Sequence, residues 1–321
     1  MGIAFTFPGQ GSQFTGMGRE LAESFPQAQA VFAEVDDALG EKLSQIMWEG
    51  PAERLTLTEN AQPALRAVSL AALRVLEAER GWNVKAARFA AGHSLGEYSA
   101  LAAVGTLSIA DAARLLRIRG KAMQEAVPVG EGAMAALIGA DMENAEKIAS
   151  AAAEATGLVC QVANDNAPGQ VVISGAKAAI DHAAGIAKDY GVRRALPLPV
   201  SAPFHCAMMQ PAADRMAEAL ADVSMQDPAV PVVANVTAQS VTSAAEARRL
   251  LVEQVTGRVR WRESVQFMAN EGVRHIYEIG AGKVLTGMVK RIDERLTGSA
   301  IGAAADIEAA PKAGPDGTLA V

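Results

Sequence analysis

Short apolar strands, each running directly into a helical pattern, recur along most of this 321-residue chain. IAFTF leads through PGQGSQ into a helix, ARFAAGHS into LGEYSALAAVG, and VRHIYEIG into KVLTGMVKRIDERL. Parallel strands need long crossovers, and helices supply them, so this alternation restricts the chain to an α/β layer fold with a mainly parallel sheet. One segment breaks the rhythm. GAMAALIGA reads as a strand and DMENAEKIASAAAEATG as a helix with Asp141 as N-cap. LVCQVAN and GQVVISG form a hairpin about the turn signal DNAPG, then KAAIDHAAGIAKDYG is a helix and VRRALPLPV a last strand. This β-α-β-β-α-β series has the ferredoxin-like order. The expectation is a discontinuous large α/β domain (1–130 and 200–300) with a small domain inserted over 131–199. A cleft between two such domains is a favoured ligand site. The tail 301–321 ends in APKAGPDGTLAV, which has no amphipathic period and is expected to be disordered.

Half of the residues are hydrophobic, enough for a substantial core, and the formal net charge is −7. An acidic chain of this kind does not grip nucleic acid through a general basic surface. The two cysteines, Cys160 and Cys206, form no CxxC, so neither a disulfide framework nor a metal site is expected. No basic n-region with a long apolar stretch opens the chain, and no run approaches a membrane span. A cytoplasmic protein without membrane association is expected. NVT at Asn235 is a glycosylation sequon, which matters only in a secreted chain.

GHSLG at 92–96 matches G-x-S-x-G. It falls where a strand ends and a helix begins, as a nucleophile elbow requires. Gly92 and Gly96 remove side chains that would crowd the turn and leave Ser94 as a nucleophile at the positive end of the helix. The large domain is therefore expected to be α/β-hydrolase-like. A serine nucleophile needs a base, and the chain has four histidines. His93 adjoins the serine and should diverge from it, His182 sits among polar helix residues, and His275 alternates within a strand. His205, in SAPFHCAMM, lies in a proline-containing loop where a held base belongs, although a hydrogen-bonded loop histidine would read the same way. PGQGSQ fails as G-x-G-x-x-G because Phe14 stands at the third glycine. Its Gln10 amide, with that of Leu95, could instead form an oxyanion hole. Cys206, beside His205, reads as a buried structural thiol.

DAARLLRIRGKAMQEA (111–126) is an amphipathic helix that carries Arg119 in the middle of its apolar side, between Leu115 and Met123. A buried guanidinium must be paired. Its partner is either a core carboxylate or a ligand that arrives from outside.

FPGQGSQ, GHSLGEYSAL, RGKAMQEA, ANDNAPGQVVISG, PFHCAMM and YEIGAGKVLTGMVKRI, in this order from residue 3 to about 300, resemble the motifs of the malonyl-CoA:acyl carrier protein transacylases. The resemblance implies a cytoplasmic, monomeric acyltransferase of fatty acid synthesis with a Ser94–His205 dyad. It further implies that the main-chain carbonyl of Gln254 orients the histidine and that Arg119 binds the substrate carboxylate. His93, Met123 and Phe204 are expected to line the pocket. Phe204 stands where many free-standing relatives carry serine, and it either narrows the space near the malonyl C2 or packs into the core. The implied substrates are malonyl-CoA and phosphopantetheinylated acyl carrier protein, exchanged in a ping-pong reaction through a malonyl-serine, with no metal or redox cofactor. An acidic carrier would dock on basic residues, for which Arg193, Arg194, Lys283, Lys290 and Arg291 are candidates. The rival readings are a serine hydrolase of esterase or lysophospholipase type, an acyltransferase that serves a polyketide synthase, and a non-enzymatic carrier-binding module. A neutral acyl chain would give Arg119 no partner, which weighs against the hydrolase.

Overall fold

The computed structural model describes residues 2–314 and 317–319. Ten strands are assigned among the described residues: β1 (Gly2–Phe7), β2 (Phe89–Gly92), β3 (Gly132–Ile138), β4 (Cys160–Ala167), β5 (Gln170–Ala176), β6 (Arg194–Pro197), β7 (Val232–Val233), β8 (Ser240–Val241), β9 (Val273–Ile279) and β10 (Thr297–Ile301). They form two sheets, ordered β10-β9-β1-β2-β7-β8 and β4-β5-β3-β6. The first is parallel throughout except for the short β7–β8 edge. The second is antiparallel, and its elements follow one another as β-α-β-β-α-β.

Period-2 alternation along β1 explains why the first sheet is covered on both faces. Ile3, Phe5 and Phe7 enter the core formed with helix Thr58–Arg80, while Ala4 joins Phe89, Val233 and Ile276 against helix Trp261–Asn270. Phe5 stacks on Trp82 with ring centroids 5.4 Å apart. The second sheet buries Leu137, Ile173 and Val171 with Ile148 and Ile180, from helices Met142–Thr156 and Lys177–Ile186, in a separate core. Strand β4 also reaches across to the other unit. Asp165 N donates to Val259 O at 2.9 Å and Val259 N to Ala163 O at 2.8 Å, and the Asp165 carboxylate is gripped by Arg262 at 2.7–3.0 Å.

Several local expectations are corrected. PGQGSQ does not run directly into a helix. Turns occupy the stretch up to Gly18, the first helix begins at Arg19, and a helical block extends to Arg80 before β2. The hairpin turn is Pro168–Gly169 rather than DNAPG as a whole, because Asp165 and its neighbours are drawn into β4 by the contacts to Val259 and Arg262. The helix in KVLTGMVKRIDERL is confined to Thr286–Ile292. The tail forms helix Ala304–Ala309, and of the last dozen residues, expected to be disordered, Pro311, Ala313 and Leu319 are tied to the core. The Trp82 indole, otherwise without an acceptor, donates to Pro311 O at 2.7 Å, Ala313 N donates to Arg80 O at 2.9 Å, and Leu319 is buried. Pro315, Asp316, Ala320 and Val321 lie outside the described residues. No helix among the described residues is long and apolar enough to cross a membrane.

Candidate active site

Ser94 sits at the N-cap of helix Leu95–Ala103, immediately after β2, with φ 53° and ψ −109°. A non-glycine residue in this region costs about 1–3 kcal/mol and persists only where its surroundings fix it. The flanking glycines are sterically required. A Cβ on Gly92 would lie 1.9 Å from the Gly96 carbonyl, and one on Gly96 would lie 2.3 Å from Phe7 O. Asn235 completes the constraint, accepting from Ser94 N and donating to Gly92 O, both at 2.7 Å.

His205 also has a positive φ, 58°. Its Nε2 accepts from Ser94 Oγ at 2.8 Å. Its Nδ1 faces two carbonyls, Gln254 O at 2.9 Å and Gly257 O at 3.1 Å. Two acceptors on Nδ1 place the proton there and leave a lone pair on Nε2 toward the serine. Burial and the Arg119 charge push the His205 pKa down to about 3, against the two carbonyl bonds. The ring is thus a neutral base aimed at a hydroxyl, with a main-chain carbonyl in the place a triad gives to a carboxylate.

Arg119 projects from helix Ile109–Glu125, only 1 % exposed. Gly120 beside it lets that helix approach Thr58–Arg80 closely, since a Cβ there would meet Glu59 Cα and Thr58 O at 2.6 Å. The approach delivers the guanidinium to Gln62. Nη1 donates to Gln62 Oε1 at 2.8 Å, and Nη2 to Gln254 Oε1 at 2.9 Å and Ser94 Oγ at 3.1 Å. Its Nε is buried without a partner among the described residues, and its Cζ lies 5.7 Å from the centroid of the Tyr98 ring. Desolvation lowers its pKa. Of the two partners open to it from the sequence, a core carboxylate does not make an ion pair with it among the described residues. Its side-chain acceptors are two amides and the Ser94 hydroxyl.

The remaining expected residues fall around this centre. The amides of Gln10 and Leu95 donate to no protein acceptor among the described residues. The Gln10 side chain reaches Thr58 Oγ1 at 3.4 Å. His93 turns away from Ser94, meeting Asn166 Oδ1 at 2.7 Å and tilting against Trp261. Met123 is buried, its sulfur taking Gln62 Nε2 at 3.7 Å, and Phe204 is buried in the main core. Cys206 donates to Pro203 O at 3.2 Å, and burial raises its pKa, so it is a structural thiol. His182 is exposed, and His275 bonds Thr297 Oγ1 at 2.7 Å far from the serine in the fold. No cluster of metal-ligating side chains occurs among the described residues.

Sequence reasoning missed Asn235, Gln62, Glu97 and the side chain of Gln254. Glu97 is a fully enclosed acid whose pKa burial lifts to about 7, against hydrogen bonds from Asn235 and Gln254 and the charge of Arg119. Its signal was an acid inside the otherwise apolar helix LGEYSALAA.

The model of the acyl transferase domain matches residues 4–316. The chain belongs to the acyl transferase family. This acyltransferase is 50% identical over 299 residues to the malonyl CoA-acyl carrier protein transacylase of Escherichia coli K12, covering 93% of this chain and 95% of that one. It superposes on the crystal structure of acyl-carrier-protein-S-malonyltransferase from Bartonella henselae with a TM-score of 0.93 at 56% identity, over 96% and 98% of the two chains. A malonyl-transacylase solved in complex with a type II polyketide synthase acyl-carrier protein matches with a TM-score of 0.92 at 45% identity, over 96% of this chain and 98% of that one. In this acyltransferase, as the geometry above shows, serine, histidine and arginine converge on one hydroxyl oxygen.

Proposed function

We propose that the chain, as a cytoplasmic monomer, transfers the malonyl group from malonyl-CoA to the phosphopantetheine thiol of acyl carrier protein for fatty acid synthesis. The observation that carries this reading is Arg119. It is a buried cation without a carboxylate partner among the described residues, and its Nη2 lies 3.1 Å from Ser94 Oγ. A guanidinium there suits an acyl group that brings its own carboxylate, held by a bidentate fork.

His205 Nε2 takes the Ser94 proton as Oγ attacks the thioester carbonyl. The Leu95 and Gln10 amides, both without an acceptor among the described residues, stabilise the oxyanion. Collapse of the intermediate breaks the C–S bond, and the proton passes from His205 to the coenzyme A thiolate. The pantetheine thiol then attacks the malonyl-serine by the same route and frees Ser94. One thioester is exchanged for another, so the balance calls for no oxidant, reductant or metal. The separate core beneath the second sheet supports the further reading that 131–199 is an inserted ferredoxin-like domain on an α/β-hydrolase-like body, 1–130 and 200–300. A carrier of polyketide synthesis is a second possible client, favoured by the likeness to the polyketide transacylase complex.

Intact-mass measurement after incubation with malonyl-CoA should show one malonyl adduct, mapped to Ser94 by peptide digestion and absent in Ser94→Ala. An adduct on Cys206, or rapid hydrolysis with no adduct, would overturn the proposal.

A further inference from the structure

Arg119 and Glu97 are both buried beside the nucleophile, yet they are not an ion pair. The Gln254 amide stands between them. Its Nε2 donates to Glu97 Oε2 at 2.8 Å and to Ser94 O at 3.0 Å, and its Oε1 accepts from Arg119 Nη2 at 2.9 Å. Glu97 Oε2 is held in turn by Asn235 N at 3.0 Å. An amide has a fixed polarity, with donors only on nitrogen and acceptors only on oxygen. A carboxylate at the nitrogen end leaves the oxygen for the guanidinium, whereas a flipped amide would set like groups against both neighbours. Glu97 and Ser94 O at the nitrogen end and Arg119 at the oxygen end together fix which way Gln254 points. Approach of the guanidinium favours the ionised form of Glu97, and opposite charges attract strongly where water is excluded, so without the amide the two would close on each other. A direct pair would occupy the guanidinium edge that an incoming carboxylate needs.

We propose that the Gln254 side chain, held between Glu97 and Arg119, is a positioning residue that keeps Arg119 out of an ion pair with Glu97 and so reserves it for the carboxylate of the acyl donor. The inference rests on the malonyl-transfer reading above. It assigns the Gln254 side chain a role separate from that of its backbone carbonyl, which serves His205.

The test is the ratio of kcat/KM for acylation of Ser94 by malonyl-CoA and by acetyl-CoA, which lacks the distal carboxylate. In Gln254→Ala the malonyl-to-acetyl ratio should fall at least tenfold, and in the volume-conserving Gln254→Met by a similar factor. Adding Glu97→Gln to Gln254→Ala should restore most of the ratio, because no carboxylate is left to capture Arg119. A merely structural glutamine predicts the opposite, a double variant worse than either single one. An unchanged ratio in the folded Ala and Met variants, or no recovery in the double variant, overturns the spacer role while the malonyl reading stands. A wild-type protein that acetyl-CoA acylates as fast as malonyl-CoA overturns the malonyl reading and the spacer together.

Discussion

Asn235 offers the strictest test of how the elbow is held. Its side chain is wholly buried and makes two 2.7 Å bonds, one from Ser94 N and one to Gly92 O. Asn235→Ala leaves both main-chain groups without partners. Gly92 is buried, and leaving its carbonyl unpaired costs about 1–3 kcal/mol. Ser94 is partly open to water, so its amide adds roughly 1 kcal/mol on the same basis. The expected loss is about 2–4 kcal/mol against a typical domain stability of about 5–15 kcal/mol. Urea unfolding at pH 7, followed by circular dichroism, would measure it. The strained φ of Ser94 should relax once Asn235 is gone, and a displacement of about 1 Å at a reacting atom can cost roughly a hundredfold in rate. Labelling of Ser94 by a fluorophosphonate should slow accordingly. Asn235→Asp keeps an acceptor for Ser94 N but brings a second carboxyl toward Glu97. Its extra destabilisation should grow as pH rises, because each carboxyl resists ionisation beside the other. If Asn235→Ala unfolds within about 0.5 kcal/mol of wild type and labels at the wild-type rate, the elbow is fixed by something else.

Arg119→Ala should lose two charge-assisted bonds to the malonyl carboxylate, about 1.5–3 kcal/mol each, or roughly 10²- to 10⁴-fold in kcat/KM. Acetyl transfer should be spared, and parallel loss of both substrates would mark a purely structural arginine. Because the His205 pKa is lowered to about 3, the imidazole stays neutral through mildly acidic pH, and acylation should show no acid limb near 6.5. The sign for stability follows from the same shift. Between pH 6.5 and 3 the unfolded chain binds a proton that the folded chain refuses, so the His205 contribution is lost as pH falls and the base-deleted His205→Gln should be less acid-sensitive than wild type. Among the carrier-docking candidates, Arg291 is already engaged with Pro168 O at 3.0 Å and Gln170 Oε1 at 3.3 Å, whereas Lys283 is exposed. Lys283→Ala should raise the carrier KM and flatten its salt dependence, while Arg291→Ala should chiefly loosen the contact to the second sheet; a steeper or unchanged salt slope in Lys283→Ala removes that lysine.

Strands β1, β2 and β9 and the β-α-β-β-α-β series were legible as short apolar runs beside 3.6-residue periods, whereas β7 and β8, two residues each, and the Gly- and Ser-containing β10 carry too little pattern to be read. Ser94 was legible for a steric reason, since only glycines fit at 92 and 96, and His205 because the other histidines had structural places. Arg119 announced itself as a charge on an apolar face. Less legible were groups whose meaning depends on pairing across the fold. Asn235 looked like a sequon, yet it works 141 positions away in the chain from the amide it holds. Glu97 and Gln62 lie on helices where a lone polar residue reads as surface until its helix is known to be buried. The tail misled because composition records its lack of periodicity, whereas Trp82 needs a hydrogen-bond acceptor that only the folded arrangement reveals.

The position of β1 has a consequence for how the enzyme is made. It lies between β2 and β9, but β9 is synthesised about 270 residues after it. At roughly 5–20 residues per second, an emerging chain holds one edge of β1 open for about 15–50 seconds, with Phe5 and Phe7 beside it. Ser94 emerges long before His205, and the carbonyl of Gln254 that faces the histidine ring comes later still. On the proposed mechanism, ribosome-bound intermediates should therefore carry Ser94 in a chemically silent form. Any chaperone that shields the nascent chain must cover the first strand until the ninth is delivered, and chemistry can begin only then.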